Sequence, residues 1–329
     1  MSAALDALDI GPGDEVIVPG YTCVVVANAV RYRGAVPVFC DIELDTFGLD
    51  ADCLQPLLTG RTAAIVVQHL YGLVSRDLDR LVQLARERDI PIIEDCAHAT
   101  GASYRGTRVG NFGDIAFYSS EQSKVLSTTQ GGWVTTNSER LAMRLEKIWH
   151  ETRPPDATET RSLLTTLIGN YLHNRSALLG DLFNVFYGAE EAVSTTDEEI
   201  LGHEPAGYIR RMATPCATIA SQQLSALDGI NAQRRDSAAR WTEACSTLQV
   251  DTAMVIADSE PTFLRYPVML RDARRKTDWR WQLETFNCVG GDWFRSHLHP
   301  SDLPVDNCPA AAEAVARCIN LPTMGMSFV

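Results

Sequence analysis

Residues 62–99 read TAAIVVQHLYGLVSRDLDRLVQLARERDIPIIEDCAHA. A β-branched apolar run opens the stretch, a segment with helical periodicity follows, and a second apolar run, IPIIE, closes it. Continuously apolar runs of this kind are expected of strands covered on both faces. Strand, helix and strand at this spacing make a βαβ unit, whose strands pair parallel. DEVIVPG (14–20), VPVFCDI (36–42), DIAFYSS (114–120) and GGWVTTN (131–137) repeat the strand pattern, and ANAVRYRG (27–34) is helical. The predicted fold class is α/β, a mostly parallel sheet sandwiched by helices. Ligands of such sheets sit at the carboxyl ends of strands. Asp95 and His98 follow one predicted strand, and Ser119 and Ser120 follow another.

The second half changes character. LLTTLIGNYLHNRSALLGDLFNVFYG (163–188) has apolar residues at mixed helical spacing, and an acidic loop, STTDEEILGHEP, follows. We read 153–206 as a helical insertion. Plain helical packing is its ordinary reading; a cover over the site and an oligomer contact are the alternatives. A long helix is predicted over 214–247, then a strand in TFLRYPVML and a helix in TDWRWQLETF. These predict a large domain over 1–235 and a smaller C-terminal α+β domain over 236–329.

Charge narrows the partners. The 329 residues carry 29 basic and 42 acidic side chains, a net charge of −13. That argues against nucleic acid or an anionic membrane as partner. A small anion held by a few local cations or N–H groups stays compatible. Nine cysteines, an odd number without CxxC, fit no zinc pattern. Buried thiols in apolar runs are expected of a reducing cytoplasm. The N-terminus has no basic n-region with an apolar core, and no run is long enough to span a membrane.

The lone lysine of FYSSEQSKVLSTTQGGWVTTN (117–137) is Lys124, between small hydroxyl residues and a Gly-Gly pair. Singly, each group has an ordinary reading: a surface charge for Lys124, a helix cap for Asp95, a satisfied polar side chain for His98. Together they are the parts that pyridoxal phosphate requires. A lysine forms a Schiff base with its aldehyde, and a carboxylate keeps its ring nitrogen protonated. Hydroxyls and N–H groups hold its phosphate.

The ordered set resembles the DegT-type sugar aminotransferases, a pyridoxal phosphate-dependent family of aspartate aminotransferase-like fold. LDIGPGDEVIVPGYTCVVVANAVRYRGAVPVFCDI (8–42), HLYG (69–72), IIEDCAHATGASYRGTRVGNFGD (92–114), GG (131–132), GYIRRM (207–212) and LPT (321–323) recur in the family's order. The resemblance implies that Lys124 is the Schiff-base lysine, that Asp95 pairs with the ring nitrogen, and that His98 stands beside the phenolic oxygen. It implies Ser119 as a phosphate ligand. Lysine rather than histidine at position 124 implies transamination rather than dehydration. It implies an amino donor, usually glutamate, a nucleotide-linked keto-sugar acceptor, a role in surface polysaccharide or secondary-metabolite sugar biosynthesis, and a cytoplasmic homodimer.

Departures from the family pattern carry expectations too. Its ring-stacking aromatic is Cys23 here, and the position of its cross-subunit Asn falls in Ile209-Arg210-Arg211. Arg210 or Arg211 is expected to supply positive charge there, and Trp293 of GGDWFRSHLHP (290–300) to stack on substrate or pack in the core. The family's Gly-Thr or Gly-Ser phosphate turn lies ahead of the stretch where this chain starts. Weak cofactor retention and an incomplete chain are the expectations. A non-catalytic or regulatory protein of the same fold, binding a sugar nucleotide or a partner, is the alternative. An unrelated nucleotide-binding protein lacks the support of a GxGxxG or GxxxxGK[ST] loop.

Overall fold

The computed structural model describes residues 1–187, 195–248 and 250–324. Six strands form the central sheet, in the order Val36–Cys40, Glu15–Pro19, Thr62–Gln68, Ile92–Asp95, Ile115–Ser119 and Gly132–Thr135. All are parallel except the last, which runs antiparallel to Ile115–Ser119. Successive strand residues face opposite layers. Val16, Val18, Val66 and Ile93 share a core with Leu5, Val30 and Leu141. Those three come from helices Ser2–Ala7, Val24–Tyr32 and Glu139–Glu151. Ile17, Ile65, Val67 and Ile92 pack instead with Leu78, Leu81 and Ala85, from helix Leu78–Glu87. The sheet is sandwiched, as its apolar runs require.

The parallel register levels the strand ends. Gln68 pairs with Asp95, and Asp95 pairs with Phe117. The chain leaves Thr62–Gln68 through a turn at Tyr71 (φ 57°) and Gly72 (φ 86°). A Cβ on Gly72 would stand 2.1 Å from Thr262 Oγ1 and 2.9 Å from Phe263 N. Glycine is the residue that fits both that φ and that approach.

The C-terminal half contributes an antiparallel sheet of Asp251–Thr252, Tyr266–Met269 and Cys318–Leu321. Helix Trp279–Phe286 starts at Asp278, whose carboxylate accepts from Trp281 N (3.1 Å). This half shares one core with the first: Val268, Phe294 and Ile319 pack with Tyr21, Phe47 and Tyr71. Asp41 accepts from the N–H groups of Ala310 and Ala311 (2.9 Å each), opening helix Pro309–Arg317.

One expectation needs adjusting. The predicted single helix over 214–247 is two, Thr214–Ser225 and Leu227–Leu248. Tertiary contacts break it at Ala226: Gln223 exchanges two hydrogen bonds with the backbone of Ser127, whereas Asn231 donates to Thr100 O. The second helix also runs unbroken through the expected boundary at 235/236. The insertion forms a hairpin of helices Ala157–Arg175 and Ala177–Tyr187. Part of it, residues 188–194, lies outside the described residues. The hairpin is not buried packing alone, since Leu178, Val185 and Phe186 are exposed. Asn170 Nδ2 ties it to Gln122 Oε1 (3.0 Å), in the loop that carries Lys124.

Fully buried Glu94 holds the strand ends together. It accepts from Gly110 N (2.7 Å), Phe112 N (2.7 Å), Gly113 N (2.6 Å) and His69 Nε2 (3.1 Å). Burial pushes its pKa up, but His69 and the amides outweigh burial and leave it below the ordinary value. A depressed carboxylate stabilises the fold above its unfolded pKa, and this stability is lost as pH falls through the folded pKa. Glu94→Gln should cost roughly 2–3 kcal/mol at pH 7, about the worth of a lost charge-assisted hydrogen bond. Urea denaturation should show the gap to wild type closing as pH falls through and below the ordinary glutamate pKa. A gap that stays constant with pH would mean that Glu94 is not ionised in the fold.

Candidate active site

Lys124 lies between two cavities, each of about 400 Å3. Cys23, His98, Ser119 and Phe294 line both with it. Asp95, Tyr208 and Arg210 line the first only; Glu121, Trp293, Arg295 and His299 line the second only. The sequence therefore brings Lys124, Asp95, His98, Ser119, Cys23, Arg210 and Trp293 to one place.

His98 is buried at the end of a strand and joins several parts. Its Nδ1 accepts from Tyr71 N (3.2 Å), and its Nε2 stands 3.1 Å from Lys124 Nζ. Burial, helped by the charges of Lys124 and Arg265, drives its pKa well below the ordinary value. The Tyr71 amide holds Nδ1 as an acceptor, which assigns the proton of the neutral ring to Nε2, so a hydrogen bond to Lys124 needs Nζ as the unprotonated amine. Trp293 stacks on the ring, with centroids 5.9 Å apart and planes at 25°. Lys124 Nζ stands 5.5 Å from the Trp293 centroid.

Asp95 is 6% exposed, and its Oδ1 accepts from Ala97 N (2.9 Å). Burial raises its pKa, opposed by that N–H and by the charge of Lys124. A buried carboxylate with so little compensation calls for a protonated partner. The ring N–H of pyridoxal phosphate fits that need, with Asp95 on the first cavity. Ser119 Oγ accepts from Glu121 N (3.2 Å) and, with Arg210, gives this cavity polar groups for an anion.

The remaining candidates separate. Arg210 donates to Glu159 (3.2 Å) and Gln130 (3.0 Å) while lining the first cavity. Arg211 lines neither. Its guanidinium donates to Trp149 O and His150 O (2.6 Å each), closing helix Glu139–Glu151. Cys23 is half-buried, and burial raises its thiol pKa against the lowering charge of Lys124. Residue-by-residue reading passed over Tyr208, whose ring packs edge-on against Tyr32 at 5.2 Å. An aromatic beside the loop glycine of GYIRRM was its signal. It also passed over Glu94 and Arg265, which have no local signature.

A mostly parallel sheet with this lysine and aspartate at its carboxyl edge has the fold of the pyridoxal phosphate-dependent aminotransferases. The chain belongs to the DegT/DnrJ/EryC1/StrS aminotransferase family, whose model matches residues 1–326. It is similar to a GDP-perosamine synthase of Caulobacter vibrioides, with 47% identity over 142 residues, 43% of this chain and 38% of that one. A GDP-perosamine synthase of Escherichia coli O157:H7 is 31% identical over 277 residues, 84% of this chain and 64% of that one. The chain thus spans less than two thirds of the length of these relatives. The crystal structure of DesV from S. venezuelae in complex with a ketimine intermediate superposes with a TM-score of 0.73 at 28% identity, covering 98% of this chain and 76% of that one.

The histidines predict a pH response. Burial, then Arg295, pushes His299 down to about 4, and His98 is lowered in the same sense. Below the ordinary histidine pKa of about 6.5, the unfolded chain takes up protons that the folded chain refuses. Stability should therefore fall as pH drops from 6.5 toward 4. His98→Gln should flatten part of that slope in urea denaturation, and an unchanged slope would mean that the ring is protonated in the fold.

Proposed function

We propose that the protein is a pyridoxal phosphate-dependent aminotransferase that moves an amino group, from glutamate, to the ketone of a nucleotide-linked sugar. The observation that carries this reading is Lys124 Nζ on His98 Nε2, on the same cavity as buried Asp95. Bound pyridoxal phosphate supplies an aldehyde that condenses with amines and a ring that accepts electrons. Lys124 would take the proton from the donor's α-carbon and return it, as general base and then acid. His98, with Nε2 3.1 Å from Nζ, would position the lysine, and Asp95 would hold the proton at the ring nitrogen. Ser119 and Arg210 would face the phosphate. Trp293 and Phe294 would shield Nζ from water on the side of the second cavity. The names of the GDP-perosamine synthases support a sugar nucleotide as acceptor. Nine free cysteines support a reducing cytoplasm. The two domains, 1–235 and 236–329, would be joined through helix Leu227–Leu248.

Lys124→Ala should abolish the adduct trapped by borohydride reduction of protein loaded with pyridoxal phosphate. An adduct of wild-type yield in that variant would place the covalent link on another lysine. Asp95→Asn should slow the half-reaction with glutamate at least ~100-fold, the size of an electrostatic contribution of about 2.7–4 kcal/mol. A near-wild-type rate would remove Asp95 from that role.

We also propose a homodimer. The exposed apolar row Leu178, Val185 and Phe186 supports it, because large apolar patches rarely face water unpartnered. Sedimentation of the purified chain should give a dimer; a monomer with full transaminase activity would end the idea.

A further inference from the structure

The loop that carries Lys124 is tied at both ends and along its length. Ser120 N donates to Gly131 O (3.0 Å), Thr128 N donates to Ser120 O (2.8 Å), and the hydroxyls of Ser120 and Thr128 share a hydrogen bond (2.7 Å). Between these ends Gln223 bonds both backbone groups of Ser127, Asn170 donates to Gln122, and Val125 and Leu126 are buried with Leu264. The loop ends at Gly131, which lines the first cavity beside Lys124.

Thr129, between Lys124 and Gly131, has a backbone that does not suit threonine. Its φ is 70°, and among the described residues no other β-branched side chain has a positive φ. In the left-handed region Cβ crowds the backbone, and a branched Cβ crowds it most. A hydrogen bond from Gln130 N to Thr128 O (2.8 Å) spans the residue, the reach of a γ-turn. No hydrogen bond rewards the side chain for this conformation. Thr129 is 2% exposed, and among the described residues its Oγ1 meets no partner. Glycine would adopt the same φ without crowding.

We propose that Thr129 is a positioning residue for Lys124. Closure of the loop forces its φ positive, and the branched Cβ then confines the torsion to a narrow well. Glycine would let the same turn wander. The confined turn holds the loop in the setting that puts Lys124 Nζ 3.1 Å from His98 Nε2. The cost falls on stability and the gain on precision, as with other strained residues that their surroundings over-determine. The inference rests on the transaminase reading, in which Nζ must come back to one point after each proton transfer.

T129G and T129A lose the same γ atoms, so their difference isolates Cβ. Urea denaturation should give T129G the higher midpoint, the reverse of their order at an unstrained position. Activity should run the other way. In loaded enzyme kcat should fall in both variants and further in T129G, by about tenfold, the effect of a small misplacement of a reacting group, with KM for glutamate changed less. A structural role alone would leave T129G, the more stable variant, at least as active as T129A. Protein without cofactor gives a second readout, because its three lysines are Lys124, Lys147 and Lys276. Under reductive methylation with formaldehyde and cyanoborohydride, followed by peptide mass, Lys124 should label faster in T129G than in T129A, with exposed Lys147 as the internal reference. T129S, which keeps Cβ, takes the place of T129A if that variant does not fold. A midpoint of T129A at or above that of T129G would mean that the position is unstrained. Equal Lys124 labelling and equal kcat in the two would mean that the strain does not reach the lysine. Either result would overturn the proposal. Midpoints and labelling need no cofactor, so failure of borohydride trapping in the wild type would sink the transaminase reading without deciding this one.

Discussion

The Glu94 carboxylate, sealed from solvent, accepts from three amides of the loop 110–113 and from His69. Its neighbour in the chain is Asp95, and Tyr71, two residues beyond His69, holds the ring of His98 through its amide. Loop, turn and strand end are therefore fixed against one another by a single charge. An uncompensated carboxylate at that depth would be intolerable, so the amides must close around it whenever the sheet forms. The rigidity of the candidate site begins there. It passes outward through His98 to Lys124 and through Trp293 to Arg265.

Charge is distributed unevenly over the molecule. The chain is acidic as a whole, yet Lys124, Arg210 and Arg295 gather around two adjoining cavities. Local cations inside an acidic protein favour small anions over polyanions, because the wider surface repels nucleic acid and anionic lipid. Asp95 is the counterpoint, a buried acid at the first cavity. A cofactor with a cationic ring and an anionic phosphate matches that polarity. In the proposed reading its positive end would lie on Asp95 and its negative end toward Ser119 and Arg210.

The C-terminal half is more than an appendage. Its strand Tyr266–Met269 brings Arg265 against Trp293, and residues 293–294 bring Trp293 and Phe294 to the second cavity. Tyr21 and Tyr71 from the first half exchange a hydroxyl hydrogen bond (3.0 Å), and Tyr21 accepts from Phe294 N (3.0 Å). These contacts seat the segment with Trp293 against His98. The helical hairpin bears on the site from another direction, through Asn170 and Gln122. Its exposed row of leucine, valine and phenylalanine is the part of the surface least like that of a lone chain.

Periodicity alone determined the sandwiched, mostly parallel sheet, because strands buried on both faces must be apolar throughout. The strand-end positions of Asp95, His98 and Ser119 followed from the same pattern, and the expectation for Lys124 rested on the order of motifs around it. Local pattern also predicted the helix after Asp278, where one side chain supplies the cap. Only the tertiary structure decided which cations are spent and which remain. Arg211 looked equivalent to Arg210 in GYIRRM, yet carbonyls at the end of helix Glu139–Glu151 take its guanidinium. Arg265 sits unremarked in TFLRYPVML, yet the fold half-buries it against Trp293 without an ion-pair partner among the described residues. The break at Ala226 was equally hidden, since Ser127 and Thr100 pull the two helices from distant parts of the chain. Hydrogen-bond partners and desolvation depend on residues far apart in sequence, and periodicity carries no record of them.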